Sequence, residues 1–188
     1  MVKQTNKTLT LAVLKLAFAA LLIAVGVIFS SFSIPIGASR CLPTQHAVNV
    51  LAGVFLGPAY GCGMAFITSL IRLAMGTGTL LAFPGSMIGA LLCGLAFKYG
   101  KRLWCAFLGE VIGTGILGAL ACWPIAVFLL GQEAAVFAYV IPFLISTLGG
   151  SILSVVLIKI LDKTHVLAMF QRKLGTTAST SLEEKRLN

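Results

Sequence analysis

Six apolar runs, separated by short polar or Gly/Pro-marked breaks, divide the chain. The first covers roughly residues 9–32 and is interrupted only by Lys15. Lys3 and Lys7 precede it in the manner of a signal sequence. Its apolar part is long, no clear small-residue cleavage site follows, and five more runs come after it, so it reads as a retained helix. Lys15 then snorkels to the inner surface. Residues 33–44 (SIPIGASRCLPT) read as a loop, marked by Pro35, Gly37 and Pro43. Thr44 suits the N-cap of a second helix over 45–56, which Gly57 and Pro58 end. A third helix runs over 59–75.

The stretch 72–86 (RLAMGTGTLLAFPGS) is too polar to face lipid and too apolar for an ordinary surface loop. Pro84 suits the first position of a fourth helix that continues to residue 99. Lys98, Lys101 and Arg102 mark the next turn, and a fifth helix covers 103–123, where Pro124 kinks or ends it. A short apolar segment leads to Gly131-Gln132-Glu133. The sixth helix covers 136–161, with Pro142 in its first turns. The expected organisation is a six-helix domain over residues 1–161 and a loose, polar, basic cytoplasmic tail over 162–188.

Composition strengthens this picture. Hydrophobic residues make up 59% of the 188 and charged residues only 10%, with a mean hydropathy of +1.03, whereas soluble domains carry about 25% charged residues. Runs of about 20 apolar residues suit membrane helices, which satisfy their own backbone polar groups. The alternation of a membrane β-barrel is absent. The fold class is therefore an all-α membrane protein, a bundle of six transmembrane helices. Cys41, Cys62, Cys93, Cys105 and Cys122 are scattered singly and show neither metal spacing nor a disulfide framework.

The net charge of +9 raises nucleic acid as a partner, but the basic residues flank apolar runs, where they orient a chain in the bilayer. Lys3, Lys7, Lys15, Lys98, Lys101, Arg102 and the six basic residues from Lys159 to Arg186 fall on one side of a six-helix topology. Only Arg40 and Arg72 fall on the other. The positive-inside rule then makes both termini cytoplasmic, in a multi-pass protein of the cell membrane.

Helix length adds shape. At about 1.5 Å per residue the second and fourth helices cover roughly 18 and 24 Å, less than the ~30 Å hydrocarbon core. Both begin on the outer side, so the residues before them dip into the outer leaflet. Irregular backbone at that depth is tolerated where it lines a cavity. The expectation is a bowl open to the outside. Counting equally from the turn at Gly57-Pro58 puts Arg72 level with Pro43, close to Gln45 and His46. With the positive end of the fourth helix, this rim is rich in donors and suits ligand oxygens, ring nitrogens or a hydroxyl.

Gln45 and Asn49, four apart, share a helix face with His46 beside them. Polar groups in a short membrane helix contact ligand or bond neighbouring helices. Arg72 either lines the cavity or snorkels to the headgroups. Thr77 and Thr79 either face ligand or turn the bend. Phe83 and Trp123 are candidate stacking partners, although Trp also belongs at membrane interfaces. Glu110 is the one acidic side chain inside a helix, below the bowl floor, with substrate contact, structural bonding and coupling all open to it. Gly109, Gly113, Gly115 and Gly118 read as close helix packing. His46 lacks a second ligand for a metal site, and no catalytic or nucleotide-binding motif is found, so no cofactor or metal is expected. Active transport would need a separate engine, and no inverted repeat of a secondary transporter is evident.

The segments IPIGASRCLPTQHAVNVLAGVFLGP and RLAMGTGTLLAFPGSMIGALLCGL resemble the ThiW family. These are substrate-binding (S) components of energy-coupling factor (ECF) transporters, linked to the thiazole precursor of thiamine. The resemblance covers about residues 10–160 and implies import of 4-methyl-5-(2-hydroxyethyl)thiazole or a close relative. It implies as partners a transmembrane coupling protein and two ATPase subunits, with no enzyme activity in this chain itself. It also implies docking through an AxxxA face on the first helix, matched here by Ala20 and Ala24 with Ala17 nearby. Other readings are an S component for thiamine or another small vitamin, a self-sufficient facilitator, and an intramembrane enzyme using His46 and Glu110. The estimated depths of those two residues differ, which counts against the last.

Overall fold

The computed structural model describes residues 2–36 and 39–163. The polar tail expected from residue 162 lies, from 164 onward, outside the described residues. Among the described residues there are six helices: α1 (Val2–Ile28, extended by a 3-10 turn at Phe29–Ser31), α2 (Pro43–Phe55), α3 (Pro58–Ala74), α4 (Ala82–Gly100), α5 (Leu103–Leu129) and α6 (Val140–Lys163).

The axis of the bundle is α2, which packs against each of the other five helices. Every residue from Gln45 to Phe55 is buried, as a helix apolar around most of its circumference requires. It has 13 residues, hence about 20 Å of length. The four helical stretches Leu9–Ser31, Ala82–Gly100, Leu103–Leu129 and Val140–Lys163 are each long and apolar enough to cross a bilayer. Their outer faces present large apolar side chains such as Leu21, Ile28, Leu108 and Ile152. In water this would be an aggregating surface; against lipid it costs nothing.

The short pair is thus α2 and α3, not α2 and α4 as the sequence led us to expect. Helix α4 starts two residues before Pro84, because Ala82 N–H and Phe83 N–H already close turns onto the Thr79 and Leu80 carbonyls. Pro84 still lies in the first turn, where its missing N–H is not needed.

Other boundaries move as well, and α6 begins at Val140 instead of 136. Part of the expected loop at 33–44 is an antiparallel ribbon, β1 (Ile34–Ile36) and β2 (Ser39–Cys41), with Pro35 opposite Arg40. Proline is tolerated in such a ribbon because its outer edge needs no donor. Helix α2 begins at Pro43, not after a Thr44 cap: Leu42 is the N-cap and its own N–H donates to Ser146 Oγ of α6 at 2.7 Å.

Pro124 does not end α5. The helix continues to Leu129 by widening into a π turn over Ile125–Leu129, closed by Leu130 N–H on the Ile125 carbonyl at 3.1 Å. A second π segment, Gly113–Gly118, lies where α5 crosses α4. There the two backbones touch. A Cβ added at Gly118 would stand 2.7 Å from Gly85 Cα, and one at Gly113 would stand 2.8 Å from Gly89 Cα. Small residues permit this approach, which brings side chains of α5 within reach of α2. Gly150 does the same for α6, lying directly against Pro43 and His46 of α2.

Candidate functional site

One end of the bundle gathers the first turns of α2, α4 and α6, the last turn of α3 and the end of α5. A cavity of about 360 Å³ opens there, within the usual range for small-molecule sites of roughly 300–1,000 Å³. Leu42, Gln45 and His46 line it from α2, and Arg72, Thr77, Gly78 and Thr79 from α3 and the bend after it. Helix α4 contributes Leu81, Ala82, Gly85 and Ser86, α5 and its exit contribute Thr114, Leu130 and Gln132, and α6 contributes Phe143 and Ser146. Pro35 and Arg40 of the ribbon stand at its edge.

The bend holds its shape through Arg72's own carbonyl, which accepts Thr77 N–H at 2.9 Å, Gly78 N–H at 3.0 Å and Thr77 Oγ1 at 3.3 Å. Gly76, at φ +71°, supplies the left-handed residue this helix ending requires. Ser30 Oγ, at the end of α1, lies 3.0 Å from Thr77 Oγ1.

Below this, one continuous relay of side chains runs from rim to floor. Arg72 Nη1 donates to Gln45 Oε1 at 3.2 Å, and Gln45 Nε2 donates to Asn49 Oδ1 at 3.3 Å. Asn49 Nδ2 donates to Glu110 Oε1 at 3.1 Å and approaches the Ser86 carbonyl at 3.3 Å. Glu110 Oε1 also accepts Thr114 Oγ1 at 3.0 Å and lies 3.0 Å from His46 Nδ1. Gln45, Asn49, Arg72 and Glu110 are all buried, Arg72 at 2% exposure and Glu110 at 0%. Arg72 therefore does not snorkel outward: its guanidinium is turned into the bundle.

The expectation that His46 and Glu110 lie at different depths is overturned. His46 is nine residues from the Phe55 end of α2 and Glu110 seven from the Leu103 end of α5, so at the helical rise they stand about 14 and 11 Å from those ends. The shortness of α2 is what lowers His46 to the level of the carboxylate. His46 lines the cavity, while Glu110 sits one contact beneath it, and Asn49 likewise lies under the floor.

Of the residues singled out from sequence, Gln45, His46, Arg72, Thr77 and Thr79 face the cavity. Neither expected stacking partner does. Phe83 packs edge-on against Phe66 at 5.6 Å between ring centres, and Trp123 donates its indole N–H to the Ala134 carbonyl at 2.9 Å beside a separate shallow depression. The aromatic ring in the cavity is Phe143. Its signal was legible: it follows Pro142 in the first turn of a helix that starts at the cavity end, the counterpart of Gln45 on α2. Ser86, Thr114 and Ser146 were also missed, because hydroxyls in apolar helices are frequent and carry little information alone. Ala17, Ala20 and Ala24 form an exposed small-residue face on α1, away from the cavity. Among the described residues no group of three or more His, Cys, Asp or Glu side chains could hold a metal ion.

The arrangement can receive a small ligand with one ring face on Phe143 and several polar atoms on Arg72, His46 and the hydroxyls. No curated protein and no solved structure matches the chain. The family described as Thiamine-precursor transporter protein (ThiW) matches residues 16–164, a span that contains every residue of the cavity and of the relay beneath it. The chain belongs to the ThiW family of thiamine-precursor transporter proteins, and is a multi-pass membrane protein.

Proposed function

We propose that this chain is the substrate-binding subunit of an ATP-driven ECF-type importer and captures hydroxyethylthiazole, or a close relative, in the cavity between α2, α4 and α6. The observation that carries this reading is the presence of one aromatic ring, Phe143, and a donor, Arg72 on Gln45, in the lining of one cavity of about 360 Å³. A small heteroaromatic alcohol needs one stacking surface and one donor each for its ring nitrogen and hydroxyl. Thiamine fits less well, because its cation meets no carboxylate among the residues lining the cavity.

In this reading both termini are cytoplasmic and the cavity faces outward, since among the described residues Arg40 and Arg72 are the only Lys or Arg at that end. Energy comes from separate ATPase subunits through a transmembrane coupling protein. The exposed Ala17, Ala20 and Ala24 face offers that partner a surface on which helix backbones can approach closely.

The proximity of His46 and Glu110, 3.0 Å, favours one other reading, an intramembrane enzyme. Against it, the carboxylate has no face on the cavity and its bonded oxygen is already shared by three partners. The test is calorimetric titration of purified protein with hydroxyethylthiazole. Saturable heat with a dissociation constant of about 1 μM or lower, no turnover of the ligand and no ATPase activity from this chain alone are expected. No heat and no competition from any thiamine-related thiazole would remove this substrate, and ligand turnover would favour the enzyme.

A further inference from the structure

We infer that the ligand held most tightly here carries an oxyanion, a carboxylate or a phosphate ester, and that Arg72 is its counter-charge. This rests on reading the cavity as the thiazole site and narrows the chemistry of what that site takes.

The starting point is an uncompensated cation. Arg72 is 2% exposed, lines the cavity and stays charged in any protein environment. A buried charge is normally paired, and one left alone inside a membrane bundle is costly. Yet among the described residues no carboxylate comes within ion-pair distance of Arg72, the only such pair being His46 with Glu110. Among the described residues its guanidinium has one hydrogen-bond partner, the neutral amide oxygen of Gln45, and its Nε has none.

Among the described residues no other group supplies the missing charge. Three acidic residues are described. Glu110 is committed to His46, Asn49 and Thr114 beneath the floor, two amides away from Arg72 along the relay. Glu133 borders the separate depression beside Trp123, and Asp162 is at the far end of α6. The cavity lining therefore holds two arginines, Arg72 and Arg40, and no acidic side chain. The helices whose first turns line it, α2, α4 and α6, also carry no acidic residue there, so their positive ends are not neutralised from within. The lining hydroxyls of Thr79 and Ser86 are further potential donors. A neutral alcohol would fill the space but leave the arginine unpaired, whereas an oxyanion would fill it and pair the arginine.

A plainer role for Arg72 is to sit on the negative end of α3, whose last turn it occupies. That role is indifferent to the charge of the ligand, which separates the two. The full chain in lipid nanodiscs is titrated with hydroxyethylthiazole, its phosphate monoester, 4-methylthiazole-5-carboxylate, thiamine and inorganic phosphate. At least one oxyanion-bearing thiazole is expected to bind about tenfold or more tighter than the alcohol, the usual gain from a charge-assisted hydrogen bond. Arg72→Gln is expected to cost that oxyanion about tenfold more than it costs the alcohol, and Arg72→Lys to restore part of the difference. Which of the two thiazole oxyanions leads identifies the group.

Alcohol affinity equal to or above that of both oxyanions overturns the inference and leaves thiazole capture standing, as does an Arg72→Gln loss shared equally by all ligands. Silence from every thiazole overturns the capture reading itself. Should Arg72→Gln fail to fold, the order of affinities in the unaltered protein decides alone.

Discussion

Replacing Glu110 with alanine is expected to lower the thermal stability of the purified protein more than any other polar truncation in the bundle, and to abolish measurable thiazole binding. Glu110 Oε1 ties α2 to α5 through side-chain contacts, receiving Asn49 and Thr114 and meeting His46. Truncation would take a shared acceptor from three buried groups, leaving Thr114 only the Gly85 carbonyl and Asn49 Nδ2 only the Ser86 carbonyl. Breaking a buried pair from one side costs about 3–5 kcal/mol in soluble proteins. Glu110→Gln keeps an acceptor for Asn49 and Thr114 and should cost only about 1–2 kcal/mol, much of it from the reshaped contact with His46. The loss of binding follows because His46 lines the cavity and would lose the support that fixes its ring. Melting curves in detergent, read for both variants, check this. An alanine variant that melts with the wild type would mean that Glu110 is not the keystone of the relay.

Gly113→Val is expected to be at least as damaging, through backbone contact instead of polar pairing. Its Cβ would stand 2.8 Å from Gly89 Cα and 3.1 Å from the Ile88 carbonyl oxygen, neither of which can rotate away. Helices α4 and α5 must then separate, and they carry Ser86, Gly85 and Thr114 of the cavity with them. Overpacking of an adaptable core costs about 1–3 kcal/mol; against two rigid backbones the cost should exceed that range. Gly63→Ala, on α3, is the control. Nothing lies within 4 Å of its Cβ and the site is exposed, so the change should be neutral or stabilise by up to about 1 kcal/mol. Size-exclusion profiles and melting curves distinguish the two; a monodisperse Gly113→Val protein with wild-type melting would refute the packing scheme.

The parts of this fold that could be read in advance are those governed by local chemistry. Each helix follows an apolar run, and most ends fall at Gly57-Pro58, the 76–81 bend or the Lys101-Arg102 turn. The approach of Arg72 to Gln45 followed from equal counting about one hairpin. What could not be read depends on how helices cross. Whether Pro124 stops or only interrupts a helix depends on packing around it, which local sequence does not show. Phe143 and Trp123 are both apolar aromatics near a proline, and only the rotation of α5 and α6 decides which one meets the cavity. The meeting of His46 with Glu110 required knowing that α2 is sunk in the centre of the bundle. The ribbon at 34–41 was hidden by Pro35 and Gly37, residues that mark loops and hairpins alike.

The central claim, that ligand is held in the cavity at the first turns of α2, α4 and α6, is tested most directly by filling it. Ala82 lines the cavity at the start of α4, and no hydrogen bond of the relay runs through its side chain. A tryptophan there should occupy the ligand's volume while its backbone carbonyl continues to accept the Ser86 hydroxyl. Titration of Ala82→Trp with hydroxyethylthiazole should show affinity reduced by about a hundredfold or more, equivalent to most of the energy of a small-ligand contact surface, in a protein that melts within a few degrees of the wild type. Wild-type affinity in this variant would contradict the claim and place the ligand elsewhere in the molecule.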